Sequence, residues 1–239
     1  MSDQELVTVH FPSELTGMVP HDAQMSKEQA AQILEGRRKY AIYQRQIRVR
    51  LRKASAAYKE NPTPRRRKAL LRAIFDITSA CSSHIRTDKL IEAAWREPPE
   101  IWWPAFFDAW SMCDAGAWTW RSWLLFKFRT SQPAIPYLDD EGREFYDSLP
   151  ELIEVWRGAD RRTVRNFSWT TDKMTAEFFA VHRRGRASPD PVIAHAFIRK
   201  ADVFAAIGGQ GEREIILEPR RLRKLTIESV AHIKQGEAA

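Results

Sequence analysis

Leu152-Ile153-Glu154-Val155-Trp156, running into Arg157 and Gly158, is the stretch on which the fold turns. Its β-branched and aromatic residues read as a strand, and Gly158 ends it where a backbone without Cβ can come close to a ligand. Reading outward, Phe167-Ser168-Trp169-Thr170-Thr171 is a second strand, followed by Asp172 as the N-cap of a helix whose apolar positions include Met174, Ala176, Phe178, Phe179 and Val181. A Gly/Ser/Pro loop (Gly185 to Pro191), a strand (Val192 to Ile198, with His195 in a structural position), a short helix (Ala201 to Ile207) and a glycine turn (Gly208, Gly209, Gly211) lead to a last strand, Glu212 to Leu217.

That last strand opens on Glu212-Arg213-Glu214. In an extended chain side chains alternate, so the two carboxylates face one side roughly 7 Å apart, while Arg213 points away. Such a pair is either a solvated strand edge or a site that a cation or substrate uses, because like charges on one surface otherwise repel.

In chain order, an arginine before a glycine, a Ser-x-Thr strand and a Glu-x-Glu strand resemble the mono-ADP-ribosyltransferases of the arginine-serine-glutamate class, the group of many bacterial toxins and phage-borne enzymes. The resemblance covers residues 148 to 230, about a third of the chain. It implies a split β-sandwich core with NAD bound in a cleft between two sheets. Arg157 would then grip the nicotinamide-side phosphate or ribose, Gly158 would offer backbone groups to the carboxamide, and Ser168 would orient the catalytic carboxylate. Thr170 would support that strand, and Trp169 and Phe179 would lie beside the cofactor. Glu214 would hold the ribose 2′-hydroxyl and stabilise the positive charge that develops as nicotinamide leaves, and Glu212 would engage the nucleophile. The chain departs from the family pattern at Trp169 and Thr170. It does so again between Ala180 and Pro191, where Arg183, Arg184 and Arg186 replace an expected aromatic; these could clamp phosphates or simply be solvated.

The 239 residues suffice for a substantial core, and 44% are hydrophobic. Charge is concentrated. Gly36 to Arg72 holds fourteen Lys or Arg against one acid, Glu60, in a chain of net charge +7, so the remainder is net acidic. Within this segment Ser26 with Gln29 reads as a capping box opening a long helix from Met25 to Tyr58. Asn61-Pro62-Thr63-Pro64 breaks it, with Thr63 capping and Pro64 beginning a second helix that turns Leu70, Leu71, Ile74, Phe75 and Ile77 inward. Arg45, Arg48 and Arg52 form a cationic stripe, joined by Arg65, Arg66 and Arg67. The stripe suits RNA or DNA, an acidic protein such as an antitoxin, or plain solvation.

Residues 95 to 123 hold seven of the nine tryptophans. Their helical spacing reads as core packed against the sheet, with a base-stacking platform as the alternative. Met1 to Gln24 has neither a cationic start nor an apolar core, and is read as a flexible lead-in. The apolar run Ile101 to Phe128 is interrupted by charges and Pro104, short of a membrane span. Cys81 and Cys113 show no paired spacing, and the six histidines no metal-ligand spacing. No Walker or GxGxxG loop occurs.

These readings converge on an α+β enzyme in three parts: a lead-in over 1–24, a basic and Trp-rich helical region over 25–135, and a transferase-like core over 136–235. It is expected to be cytoplasmic, with no metal and no membrane contact. It would use NAD as co-substrate and pass ADP-ribose to a nucleic acid or protein. A non-catalytic nucleic-acid-binding protein and an NAD glycohydrolase are the alternatives.

Overall fold

A computed structural model describes residues 6–11, 21–113, 134–181, 189–208 and 213–230. The architecture is α+β. Among the described residues, six α-helices accompany a two-stranded and a six-stranded antiparallel sheet. The chain divides into two compact units, Met1–Trp123 and Leu124–Ala239.

The first unit opens with β1 (Leu6–Phe11) and β2 (His21–Ser26), paired antiparallel from Leu6↔Ser26 to Phe11↔His21. The segment read from sequence as a flexible lead-in thus contributes strands: Val7 and Val9 alternate with polar residues, and the ladder satisfies their backbone. Ser26 then caps α1 (Lys27–Glu60), its side chain accepting from the Gln29 nitrogen while Gln29 Oε1 accepts from the Ser26 nitrogen. At 34 residues α1 is roughly 50 Å long. It stops where Pro62 forbids continuation, and Thr63 caps α2 (Pro64–Ser79), whose buried face is Leu70, Ala73, Ile74 and Ile77. Two shorter helices follow, α3 (Arg86–Ala94) and α4 (Pro99–Ser111).

Helix α4 carries Pro104 in its interior, which removes the amide that would serve the Glu100 carbonyl one turn earlier. Arg67 repairs the loss, donating from Nε and Nη2 to that carbonyl at 3.2 and 3.1 Å. Trp102, Trp103, Phe106 and Trp110 are buried on α4, with Trp103 edge-on to Phe106 at 5.6 Å. The aromatic density is core for these residues, and it packs on α2 and α3 within the unit. Trp118, Trp120 and Trp123 lie outside the described residues.

In the second unit, a 3-10 turn at Ile135–Tyr137 precedes α5 (Asp140–Ser148), which Asp139 caps. Its sheet comprises β3 (Leu152–Asp160), β4 (Ser168–Thr170), β5 (Pro191–Arg199), β6 (Val203–Ile207), β7 (Glu214–Leu217) and β8 (Arg223–Ser229). They lie in the order β6-β7-β4-β3-β5-β8, every pairing antiparallel. One face, with Ile153, Val155, Trp169, Ala194, Ile215 and Leu217, joins Phe145 and Leu149 in the main core. Helix α6 (Lys173–Val181) covers part of the other face, with Ala180 against Ile193 and Trp156.

The helix expected over Ala201–Ile207 is a strand after a single 3-10 turn at Lys200–Asp202. Ala205 and Ala206 suggested helix by propensity. Val203, Phe204 and Ile207 suit a strand, and pairing with β7 buries both alanines completely, so tertiary context prevails. The sheet is also nearly divided. β3 and β5 pair over nine residues, whereas β3 and β4 share one pair, Trp156↔Thr170.

Candidate functional site

The single bridge between β3 and β4 is the centre of the site. Registers align one row across the sheet: Ile207, Glu214, Thr170, Trp156, His195 and Thr226. Directly opposed residues share a face with Cβ atoms about 5 Å apart, so Glu214, Thr170 and Trp156 are side-chain neighbours. Ser168, two residues from Thr170, projects to this same face beside Ile216.

Arg157 starts from the opposite face, in line with Val155 and Ala159, and is 6% exposed. The Phe167 carbonyl accepts from the Leu217 amide and the Thr171 amide donates to the Arg213 carbonyl, so the intervening Ser168 carbonyl is directed toward β3. A continuing ladder would pair it there with backbone. Instead the strands splay, and Arg157 Nη1 donates to the Ser168 carbonyl oxygen. The arginine and serine strands are therefore joined by a side chain where backbone pairing ends.

Gly158 has a different local cause from the one the sequence suggested. A Cβ there would lie 1.7 Å from the Ala176 carbonyl oxygen and 2.5 Å from the Ala180 nitrogen. Its missing side chain lets α6 seat on β3. Trp169 is likewise a core residue, 1% exposed, with Nε1 donating to the Asn166 carbonyl at 2.8 Å. It faces away from Ser168 and Thr170, because strand alternation puts the middle residue of a Ser-x-Thr motif on the other side. Phe179 sits half-buried on α6, edge-on to exposed Phe178.

Of the Glu-x-Glu motif, Arg213 and Glu214 are described. Arg213 has φ of 43°, and β7 begins only at Glu214. Arg213 is thus in the left-handed region rather than in the extended backbone that the sequence suggests for it. Glu212 lies outside the described residues, as do Arg183, Arg184 and Arg186. The Arg213 guanidinium lies 5.2 Å from the centre of the Phe145 ring.

Asp172 caps α6, accepting from the Met174 and Thr175 amides and from the Thr175 hydroxyl at 2.7 Å. The Thr175 hydrogen bond chiefly, with the two amides, holds its carboxyl below the usual range. Thr170 Oγ1 accepts from the Asp172 amide, tying β4 to the helix start.

A cluster the sequence did not flag continues the row beyond Thr170. The rings of Trp156 and His195 stack at 4.1 Å, and His195 Nε2 meets Glu154 Oε1 at 2.8 Å. Lys173 Nζ lies 5.6 Å from the centre of the Trp156 ring. The available signal was the matched alternation of Glu154 and Trp156 on one strand with His195 and Phe197 on the other. It becomes informative only once the register is known.

In the first unit, Arg45, Arg48, Arg52 and Arg65 are exposed. Arg66 and Arg67, read with them as a cationic surface, are engaged internally. Arg66 Nη1 donates to the Ala57 carbonyl near the end of α1, and Arg67 serves the Glu100 carbonyl. Among the described residues no cluster of His, Cys, Asp and Glu could hold a metal, and no helix is long and apolar enough to cross a membrane. Cys81 and Cys113 are not joined in a disulfide. No family model, curated protein or solved structure matches the chain.

Proposed function

We propose that the second unit is an NAD-dependent mono-ADP-ribosyltransferase of the arginine-serine-glutamate class, with Glu214 as its catalytic carboxylate. The observation that carries this reading is the meeting of the arginine, serine and glutamate strands at the bridge where the sheet divides. The resemblance implies a split β-sandwich with a cleft between two sheets; the structure has one six-stranded sheet that narrows to a single bridge, and Ser168, Thr170 and Glu214 share one face of it.

NAD supplies an activated glycosidic bond with nicotinamide as leaving group, and the chain's own residues would orient it and balance charge. Glu214 would accept a hydrogen bond from the ribose 2′-hydroxyl and stabilise the positive charge that grows at the sugar. Ser168, near it on the same face, would hold that carboxylate in place. Arg157 would act as a positioning residue through its bond to the Ser168 backbone, as well as offering a permanent charge to a phosphate. Transfer to a macromolecule, in a toxin or phage-defence setting, follows the family habit. Hydrolysis by water, with ADP-ribose released free, is the second reading.

The test is incubation of the protein, and of Glu214→Gln, with adenylate-labelled NAD and cell lysate, followed by separate protease and nuclease digestion. Label that is lost in Glu214→Gln supports transfer and identifies the acceptor as protein or nucleic acid. Free ADP-ribose without labelled macromolecule favours the glycohydrolase. The reading fails if folded wild type releases no nicotinamide and does not bind NAD.

A further inference from the structure

Helix α1 is long, yet only Ala30, Ile47 and Tyr58 on it are buried. Leu34, Ile42 and Val49 are 56%, 50% and 43% exposed. Arg38, Arg45 and Arg52 are exposed as well. The six positions follow one another at steps of 4, 4, 3, 4 and 3 residues, the spacing of a seam that receives a second helix. At about 100° per residue they fall within an arc of about 80°. Aliphatic and guanidinium groups alternate along this arc, well round the helix from Ile47 and Tyr58. From Gly36 to Lys59 there is no Asp or Glu. Arg50, toward the packed side, pairs with Asp76 at 3.4 Å. No ion pair among the described residues engages Arg38, Arg45, Arg48 or Arg52.

We propose that this face of α1 is a docking seam for an acidic amphipathic helix of a partner protein. The proposal does not depend on the chemistry of the second unit. Charge and composition together select the occupant. A second copy of α1 would set arginine against arginine with no carboxylate to intervene. A nucleic acid would pair with the arginines but leave Leu34, Ile42 and Val49 facing phosphate and water, with nothing gained from their exposure. A lipid surface takes helices whose cations are segregated from the apolar sector, whereas here they interleave. A helix with apolar residues at its own seam and carboxylates alongside covers the aliphatics and pairs the guanidiniums at once.

The experiment titrates the full chain at 0.15 M salt, a concentration at which charges are screened beyond about 8 Å. The probe is a labelled three-heptad helical peptide with Leu at the seam and Glu flanking it; the competitors are a Leu→Ser version, short RNA and DNA duplexes, and phosphatidylserine vesicles. We expect the Leu/Glu peptide to bind best. Ile42→Ser/Val49→Ser and Arg45→Gln/Arg52→Gln should each weaken it about tenfold, and both variants should keep the wild-type melting profile. The proposal is overturned if the peptide does not bind or if the aliphatic double variant binds it as tightly as wild type. It is equally overturned if duplexes or vesicles displace the peptide from the seam, or if sedimentation shows self-association that the same substitutions abolish.

Discussion

Replacing Gly158 by alanine sets a methyl carbon against backbone, and the structure fixes the size of the conflict. The added carbon would lie 1.7 Å from the Ala176 carbonyl oxygen and 2.5 Å from the Ala180 nitrogen. Neither atom belongs to a side chain that could swing aside, so α6 must retreat from β3 by about 2 Å to restore a contact of about 3.5 Å. Overpacking costs about 1–3 kcal/mol. This case lies toward the top of that range, because the retreat also loosens Ala176 and Ala180, both essentially inaccessible. A stiffer unfolded chain returns about 0.4–1 kcal/mol. The net loss is about 2 kcal/mol, which for a unit of this size lowers the melting temperature by about 8 °C. Calorimetry of the full chain, with urea unfolding as a second probe, measures it. Gly36→Ala is the internal control: nothing lies within 4 Å of the added carbon, and the helix gains up to about 1 kcal/mol. A Gly158→Ala protein melting within about 2 °C of wild type would refute the seating of α6 on β3.

Three further outcomes are expected. Arg157→Met strands the Ser168 carbonyl and costs about 1–3 kcal/mol in urea unfolding, while Arg157→Lys retains a donor and recovers part of it; equal stability of all three proteins would remove the link across the split sheet. Arg67→Met destabilises the first unit, but in a Pro104→Ala background, where the restored amide serves the Glu100 carbonyl, its cost shrinks by about 1 kcal/mol. Unchanged cost in that double-mutant cycle would show that Arg67 does not compensate for the proline. Acid sensitivity follows from Asp172 and from Asp202, whose carboxyl is held low chiefly by its hydrogen bond with Arg199 and then by Arg221. Carboxyls with lowered values bind protons less readily folded than unfolded, so their contribution is complete above the unfolded value of about 3.9 and disappears as pH falls through the folded value. Stability should therefore decline below about pH 4, less steeply in Asp202→Asn, which starts lower at neutral pH; parallel pH profiles would contradict this.

What was legible in the sequence was whatever local chemistry decides alone. Ser26 with Gln29, Thr63 with Pro64, and Asp172 each announce a helix start through a hydrogen bond spanning two or three residues, and each occurs as read. Strands β3, β4 and β5 were readable from β-branched and aromatic runs. What could not be read depended on partners distant in sequence. Ala205 and Ala206 become strand because β7 lies beside them. Trp169 becomes core because alternation turns it from the serine and threonine flanking it. Gly158 answers to Ala176, a helix residue eighteen positions on. Arg66 and Arg67 look in sequence like the exposed Arg65 beside them, and only the carbonyls left at the end of α1 and beneath Pro104 distinguish them.

The split in the sheet gives these residues a common logic. A continuous antiparallel ladder saturates its backbone and leaves only side chains for chemistry. Where β3 and β4 part after Trp156↔Thr170, the Ser168 carbonyl still needs a donor, and burial makes leaving it unpaired expensive. An arginine on the neighbouring strand is long enough to supply one and remains charged while doing so. The residue that stabilises the split thus brings a permanent positive charge to it, while Ser168, Thr170 and Glu214 line one face beside the same break. On the proposed reading, folding and chemistry draw on the same guanidinium. If the proposed activity is correct, variants of Arg157 should lose stability and NAD turnover together, whereas Glu214→Gln, at the partly exposed start of β7, should lose turnover while unfolding like the wild type.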